Sequence, residues 1–217
     1  MKQILLIGAT GLLGKAALTR MLDNPEISGV TVLARKSTGI IHKGLHEIIA
    51  DLDKAPDELQ KLRCDVFVCT LGTTIKKAGS QAAFRHVDFE IPLKYAKLAL
   101  SQGCQKMILI SAIGASIESS IFYNRVKGEL ETELKKLPFR ELAIIQPSML
   151  MGPREELRIG ESIGKMAMRL FDPFLKGTLS KWHSIHSEDI AKFISEKATA
   201  PIEEGTKVYH YAQIVGK

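Results

Sequence analysis

The chain has 217 residues, of which 45% are hydrophobic and 25% are charged, so it has the composition and length of a single globular domain. No apolar run approaches the roughly 20 residues of a membrane span, which argues against a membrane protein. The net charge of +6 is spread without any block of five like charges, which favours small anionic ligands such as phosphates over nucleic acid.

The start of the chain and its cysteines bear on location. The first apolar run begins at residue 4, which leaves no room for a signal peptide. The three cysteines are Cys64, Cys69 and Cys104, and an odd number this small indicates buried, reduced thiols. Both features predict a cytoplasmic protein.

The first predicted elements surround a glycine-rich turn. Ile4 to Ile7 predicts a buried strand, which leads directly into Gly8-Ala-Thr-Gly11-Leu-Leu-Gly14, and residues 15–22 have helical spacing. This is the context in which such glycines bind a dinucleotide. The first glycine permits the tight turn, the second lets the backbone approach a pyrophosphate, and the third allows close packing of helix and strand. The alternative is a glycine-rich turn without a ligand.

The rest of the chain alternates between predicted strands and helices. Further strands are predicted at residues 30–33, 47–50, 65–69, 107–111, 142–146, 182–185 and 208–212. Helices are predicted at 81–102, with Pro92 either kinking this helix or starting a new one, at 119–137 and at 187–197. This alternation indicates an α/β fold, a doubly wound parallel sheet with helices on both faces.

One domain is expected over residues 1–217. Residues 153–182 follow the sixth strand, so they are expected to form a short substrate lid over the crevice at the carboxyl ends of the strands. A helix at about 161–171 is predicted within this lid. Its apolar face indicates packing, although its basic residues also suit a membrane surface.

The end of the second strand favours NADPH over NADH. An acidic residue about twenty positions after the glycine turn would bind the ribose 2′-hydroxyl, but the sequence there is Leu33-Ala-Arg35-Lys36-Ser37-Thr38. Arg35 offers a planar fork for a 2′-phosphate, and Lys36 and Ser37 could add a charge and a hydroxyl. The alternative is a solvated Arg-Lys pair.

A second constellation, Tyr123-Asn-Arg-Val-Lys127, lies on the long predicted helix. Residues four apart share a helix face, and an ammonium there lowers the pKa of a phenol from its ordinary value near 10. Such a phenol can exchange a proton nearer neutrality. Ser111 ends a strand twelve residues earlier, where its hydroxyl could orient a substrate carbonyl. The alternative is a surface tyrosine beside a solvated lysine.

No metal site is predicted. His183 and His186 lie three residues apart in an extended segment, so their side chains point to opposite faces and chelate poorly. No Cys/His/Asp cluster elsewhere in the sequence has the spacing of a zinc site.

On these residues, the sequence resembles the atypical or extended branch of the short-chain dehydrogenases/reductases. It is similar to bacterial relatives of the Tat-interacting-protein group of NAD(P)H-binding oxidoreductases, from Lys2 to about Lys197. Asp51-Leu52 resembles the family's segment near the adenine, and Leu71-Gly72-Thr73-Thr74 is especially similar to that group. Pro147-Ser148 resembles the loop at the nicotinamide end. The resemblance implies a Rossmann fold and a catalytic set of Ser111, Tyr123 and Lys127.

The complete predicted cofactor-binding set combines the two lines of argument. Its members are Gly8, Thr10, Gly11, Leu12, Leu13, Gly14, Arg35, Lys36, Asp51, Leu52, Leu71, Gly72, Thr73, Tyr123, Lys127, Pro147 and Ser148. The predicted function is NADPH-dependent hydride transfer to a small carbonyl-type substrate.

The sequence leaves two points open. Asp88 stands where the family usually has an asparagine, and a carboxylate cannot donate a hydrogen bond as an amide does, so its part in a proton relay is undecided. The alternative function is an NADPH-binding regulatory or redox-sensing protein without turnover. In either case we expect a small-molecule ligand, no nucleic acid or membrane partner, and a monomer or homodimer.

Overall fold

The computed structural model describes residues 1–60, 62–148, 150–151 and 185–216. The strands in these ranges are β1 (Lys2–Ile7), β2 (Ile27–Ala34), β3 (Leu45–Ile49), β4 (Val66–Cys69), β5 (Lys106–Ile110), β6 (Glu141–Ile145), β7 (Leu150–Met151), β8 (Ile185–His186) and β9 (Gly205–Tyr209). The α-helices are α1 (Leu12–Leu22), α2 (Asp57–Gln60), α3 (Ile75–Ala78), α4 (Gln81–Arg85), α5 (Ile91–Ser101), α6 (Phe122–Lys135), α7 (Ser187–Thr199) and α8 (Tyr211–Val215). A π-helix, His86–Glu90, joins α4 to α5.

A seven-stranded parallel sheet organises this part of the chain. Its strand order is β3-β2-β1-β4-β5-β6-β9, and β7 and β8 form a separate parallel pair. The order reverses direction at β1, with β2 on one side and β4 on the other. The predicted doubly wound Rossmann sheet is confirmed, and such sheets bind ligands at the carboxyl ends of the strands beside this reversal.

Helices cover both faces of the sheet, which explains why its strands read as continuous apolar runs. Successive residues of a strand point to opposite faces. Ile4 and Leu6 accordingly join a buried cluster with α1 and α7, and Leu5 and Ile7 join a second cluster with α5 and α6.

The segment predicted as one helix, 81–102, consists of three elements. Helix α4 runs into the π-helix, and α5 then begins at Ile91 with Pro92 in its first turn. The π-helix was not predicted, because the apolar spacing of this segment fits an ordinary helix closely. π-Segments of this kind occur frequently at functional sites.

Other boundaries differ by a few residues. The strand predicted at 208–212 lies at Gly205–Tyr209, since its pairing with β6 runs from Gly205 to Tyr209, and Tyr211 instead begins α8. The helices α2, α3 and α8 have four or five residues each, too few for a periodic pattern. The predicted lid at 153–182 and its helix lie outside the described residues.

Candidate functional site

The glycine turn after β1 packs closely against two other pieces of backbone. Gly8 has φ +89°, and a Cβ there would lie 2.4 Å from the backbone nitrogen of Leu71. A Cβ on Gly14 would lie 2.1 Å from the carbonyl oxygen of Gly8. Both positions therefore require glycine, the first for its conformation and its neighbour, the second because α1 touches the turn.

Gly11 differs from these two glycines, because space is open beside it. It caps α1 in an extended conformation (φ −78°, ψ 166°), and a Cβ there would meet only the Gly8 carbonyl oxygen, at 3.5 Å. Neither a side-chain cap nor an acidic residue occupies the first turn of α1. Its first N–H groups are therefore available to an anion, and the helix dipole adds positive potential there.

The segment after β4 connects this turn to the lysine of α6. Thr70 donates to the carbonyl oxygen of Ile7 through its N–H and its hydroxyl, each at 3.0 Å. A Cβ on Gly72 would lie 3.7 Å from Lys127 Nζ. The glycine turn, the Leu71–Thr73 segment and Lys127 therefore lie side by side at the carboxyl ends of β1 and β4.

Lys127 and Asp88 form a buried ion pair. Lys127 Nζ lies 2.7 Å from Asp88 Oδ1, and the two side chains are 4% and 1% exposed. Asp88 Oδ2 accepts a hydrogen bond from the N–H of Thr73 at 2.8 Å. Burial lowers the pKa of Lys127, but Asp88 outweighs this effect together with smaller contributions, so the pKa of Lys127 lies above its ordinary value and the ammonium stays charged.

Asp88 shows both the use and the limit of the sequence argument. The sequence identifies it as a departure from the family pattern but does not predict its contact with Lys127. Asp88 lies between Phe84 and Ile91, which are both buried. Because buried charges are almost always paired, a carboxylate in such a position indicates an ion pair.

Tyr123 lies one turn before Lys127 on the same face of α6. It is partly buried, and its ring packs against the ring of Phe84 with centroids 5.5 Å apart and an interplanar angle of 49°. Phe84 is fully buried, so α4 holds the phenol ring in place. The structure brings the predicted Lys127 next to the predicted Gly72, and Tyr123 lies on the same face of α6 as Lys127.

The hydroxyl of Ser111 is engaged elsewhere. It donates to Oε1 of Glu131 at 2.5 Å, and Gln146 Nε2 donates to the same carboxylate at 2.9 and 3.1 Å. All three side chains are buried. Glu131 lies one turn beyond Lys127 on α6, and this spacing can be seen in the sequence. The hydrogen bonds of Glu131 with Ser111 and Gln146 could not be predicted from it. The role of Ser111 toward a substrate stays a prediction.

The loop after β2 is bound by Glu47 of β3, a carboxylate that the sequence analysis did not identify. Arg35 and Lys36 are exposed, whereas the Ser37 hydroxyl donates to Glu47 Oε2 and the Thr38 N–H to Oε1, both at 2.7 Å. Burial raises the pKa of Glu47, but these hydrogen bonds outweigh it and leave the pKa below its ordinary value. The Ser37 hydroxyl is therefore engaged by Glu47, and its use as a phosphate ligand stays a prediction.

The remaining predicted segments follow other strands of the sheet. Asp51 is exposed just after β3, and the buried Leu52 accepts a hydrogen bond at its carbonyl from the Tyr95 hydroxyl at 3.0 Å. After β6, the carbonyl of the buried Pro147 accepts from the N–H of Ile113 at 3.0 Å, and Ser148 is partly buried. Both segments lie beyond the carboxyl ends of their strands.

Metal ligands and membrane spans can be considered for residues 1–60, 62–148, 150–151 and 185–216. Within them, no group of three His, Cys, Asp or Glu residues has the geometry to hold a metal ion. No helix in the same ranges is long and apolar enough to cross a membrane.

The chain matches one family model and is similar to several known proteins. The family model described as HIM1 matches residues 47–175. The chain is 31% identical over 214 residues to "Protein fmp52, mitochondrial" of Emericella nidulans, covering 95% of this chain and 88% of that protein. It is 33% identical over 168 residues to "Protein HTATIP2" of Rattus norvegicus, covering 76% of this chain and 69% of that protein.

A solved structure shares the fold. The Bordetella bronchiseptica enzyme WbmG in complex with NAD superposes with a TM-score of 0.68 at 14% identity, covering 96% of this chain and 72% of that one. The expected cytoplasmic location is contradicted, since several similar proteins are named mitochondrial. The expectation was wrong because the position of the first strand and the number of cysteines do not determine a location.

Proposed function

The chain belongs to the HIM1 family and is an atypical short-chain dehydrogenase/reductase related to the Tat-interacting-protein group, and from this premise we propose an NADPH-dependent oxidoreductase. Its substrate is a small carbonyl-type molecule. The observation that carries the proposal is the continuous contact from the glycine turn through Leu71 and Gly72 to Lys127, with Tyr123 on the same helix face.

The open side of Gly11 and the free N–H groups of α1 fit a dinucleotide. The pyrophosphate would lie at residues 8–14, the adenine beside Asp51 and Leu52, and the nicotinamide ribose near Lys127. The segments 71–73 and 147–148 would line the nicotinamide end. When bound, the reduced nicotinamide supplies the hydride.

The residues of the chain supply the proton and orient the carbonyl. Tyr123 acts as the general acid toward the carbonyl oxygen, and Lys127 holds the ribose and stabilises the charge that develops on the phenol. Ser111 polarises the carbonyl. A serine hydroxyl has one proton to donate, so this role requires Ser111 to turn away from Glu131.

This requirement makes Ser111→Ala informative. If the hydroxyl turns to the substrate, we expect turnover to fall by about tenfold or more, because one charge-stabilising hydrogen bond is lost from the transition state. If it stays with Glu131, the variant loses stability in urea while turnover is kept, and Ser111 then leaves the catalytic set. Steady-state kinetics and urea denaturation of the same preparation separate the two results.

Arg35 is proposed to select NADPH. We expect NADPH to bind at least about tenfold more tightly than NADH, since a hydrogen bond to a charged group contributes about 1.5–3 kcal/mol. Calorimetric titration of both cofactors against wild type and Arg35→Ala measures this, with Arg140→Ala, an exposed arginine paired with Glu204, as the control. Equal affinities for the two cofactors in the wild type would contradict the assignment, as would unchanged NADPH binding in Arg35→Ala.

A regulatory or redox-sensing protein without turnover is the second candidate. The observation that favours it is the bond of Ser111 to Glu131, which leaves the hydroxyl occupied. A screen of quinones, aldehydes and ketones that follows NADPH absorbance distinguishes the two functions. Turnover supports the oxidoreductase, whereas tight NADPH binding without turnover across the screen supports the sensor.

A further inference from the structure

A buried carboxylate opposes the lysine of the proposed site. Asp88 lies in the π-helix between α4 and α5, and its contact with Lys127 at 2.7 Å is shielded from solvent on both sides. Charges in such a setting act more strongly on their neighbours than they would in water. The ion pair therefore influences any titratable group beside it.

The surrounding backbone fixes the carboxylate in place. Its second oxygen is bound to the N–H of Thr73, and a Cβ on Gly72 would lie 3.3 Å from Asp88 Oδ1. Gly72 thus leaves just enough room for the carboxylate and the ammonium. If Asp88 turned away, it would leave two buried charges without partners, which is strongly unfavourable.

We propose that Asp88 is a positioning residue that acts through Lys127, holding the ammonium in place and offsetting its charge so that the Tyr123–Lys127 pair keeps both of its protons. The inference rests on the proposed function, in which these two residues act together. An ammonium alone favours the phenolate beside it, and a carboxylate on the other side of the ammonium opposes that effect.

Three elements contribute the groups that face Lys127. They are Asp88 of the π-helix, Tyr123 of α6 itself and Cys69 at the end of β4. Burial raises the pKa of Cys69 to about 12, so this thiol carries no charge over the working pH range. Asp88 is therefore the anion that balances the ammonium within this group.

A ¹³C NMR titration of the full chain without cofactor tests the proposal. Lysine Cε and tyrosine Cζ are labelled, and the resonances of the pair are assigned with Lys127→Arg and Tyr123→Phe. In Asp88→Asn, the lower of the two apparent pKa values of the Tyr123–Lys127 pair should fall by at least about one pH unit relative to the wild type. Loss of a nearby negative charge favours deprotonation of either group, so the direction holds whichever of them titrates first.

Glu90→Gln is the matched control. It removes a carboxylate from the same π-helix, but Glu90 is exposed and contacts His86 Nδ1 at 2.7 Å. The titration of the pair should therefore be unchanged in this variant. An unchanged titration in Asp88→Asn, or an equal shift in Glu90→Gln, would overturn the proposal.

A second comparison applies if Asp88→Asn does not fold. Lys127→Met leaves a buried carboxylate without its counter-ion, whereas Lys127→Met combined with Asp88→Asn leaves no charge there. The double variant should therefore unfold at a higher urea concentration than the single one, and equal midpoints would overturn the proposal. Neither experiment requires turnover, so a failed substrate screen would count against the proposed function alone.

Discussion

Tyr123→Phe should lower turnover by about 10²-fold or more and leave NADPH affinity nearly unchanged. The substitution removes the phenolic proton, and loss of a general acid typically costs 10²- to 10⁴-fold. The ring remains against Phe84, so the packing between α4 and α6 is preserved. The pyrophosphate and 2′-phosphate contacts lie at other segments, so calorimetric affinity should be maintained while the rate of NADPH oxidation falls.

Tyr95→Phe provides the control for that experiment. Tyr95 is fully buried on α5, and its hydroxyl donates to the carbonyl of Leu52. Its loss should lower the free energy of unfolding by about 1 kcal/mol without a comparable loss of turnover. A substrate that is reduced at the wild-type rate by Tyr123→Phe would rule out the general-acid role.

The sheet could be predicted because both of its faces are covered. Burial on both sides forces apolar residues along whole strands, and the turns between them carry glycine or proline. The strands of this sheet and their positions along the chain could therefore be predicted from the sequence. The glycine turn was visible for a related reason. Backbone contacts such as that of Gly8 with Leu71 exclude every other side chain, which leaves a strong local pattern.

The contacts within the site could not be predicted in the same way. Asp88 and Lys127 are 39 positions apart, and their pairing depends on a π-helix that changes which residues face α6. Glu47 and Ser37 meet because β3 pairs with β2 in one particular register. Spacing along a sequence carries information about one helix or one strand, whereas these contacts depend on the packing of several elements.

Gly11→Val should weaken NADPH binding by at least about 10²-fold and leave the protein folded. The extended conformation of Gly11 suits valine, and a Cβ there meets only the Gly8 carbonyl oxygen at an ordinary contact distance of 3.5 Å. The fold should therefore lose about 1 kcal/mol at most, as expected for a poorer helix cap. The branched side chain would instead fill the space that a pyrophosphate needs beside the N–H groups of α1.

Gly14→Ala separates this effect from a general loss of structure. A Cβ on Gly14 would lie 2.1 Å from the Gly8 carbonyl oxygen, which is backbone and cannot move aside cheaply. This smaller substitution should therefore cost more stability than Gly11→Val, measured by urea denaturation. The two glycines lie three residues apart, but their variants should differ in what they lose. Gly11→Val should stay folded and lose NADPH binding, whereas Gly14→Ala should lose mainly stability. NADPH binding retained in a folded Gly11→Val protein would place the pyrophosphate elsewhere.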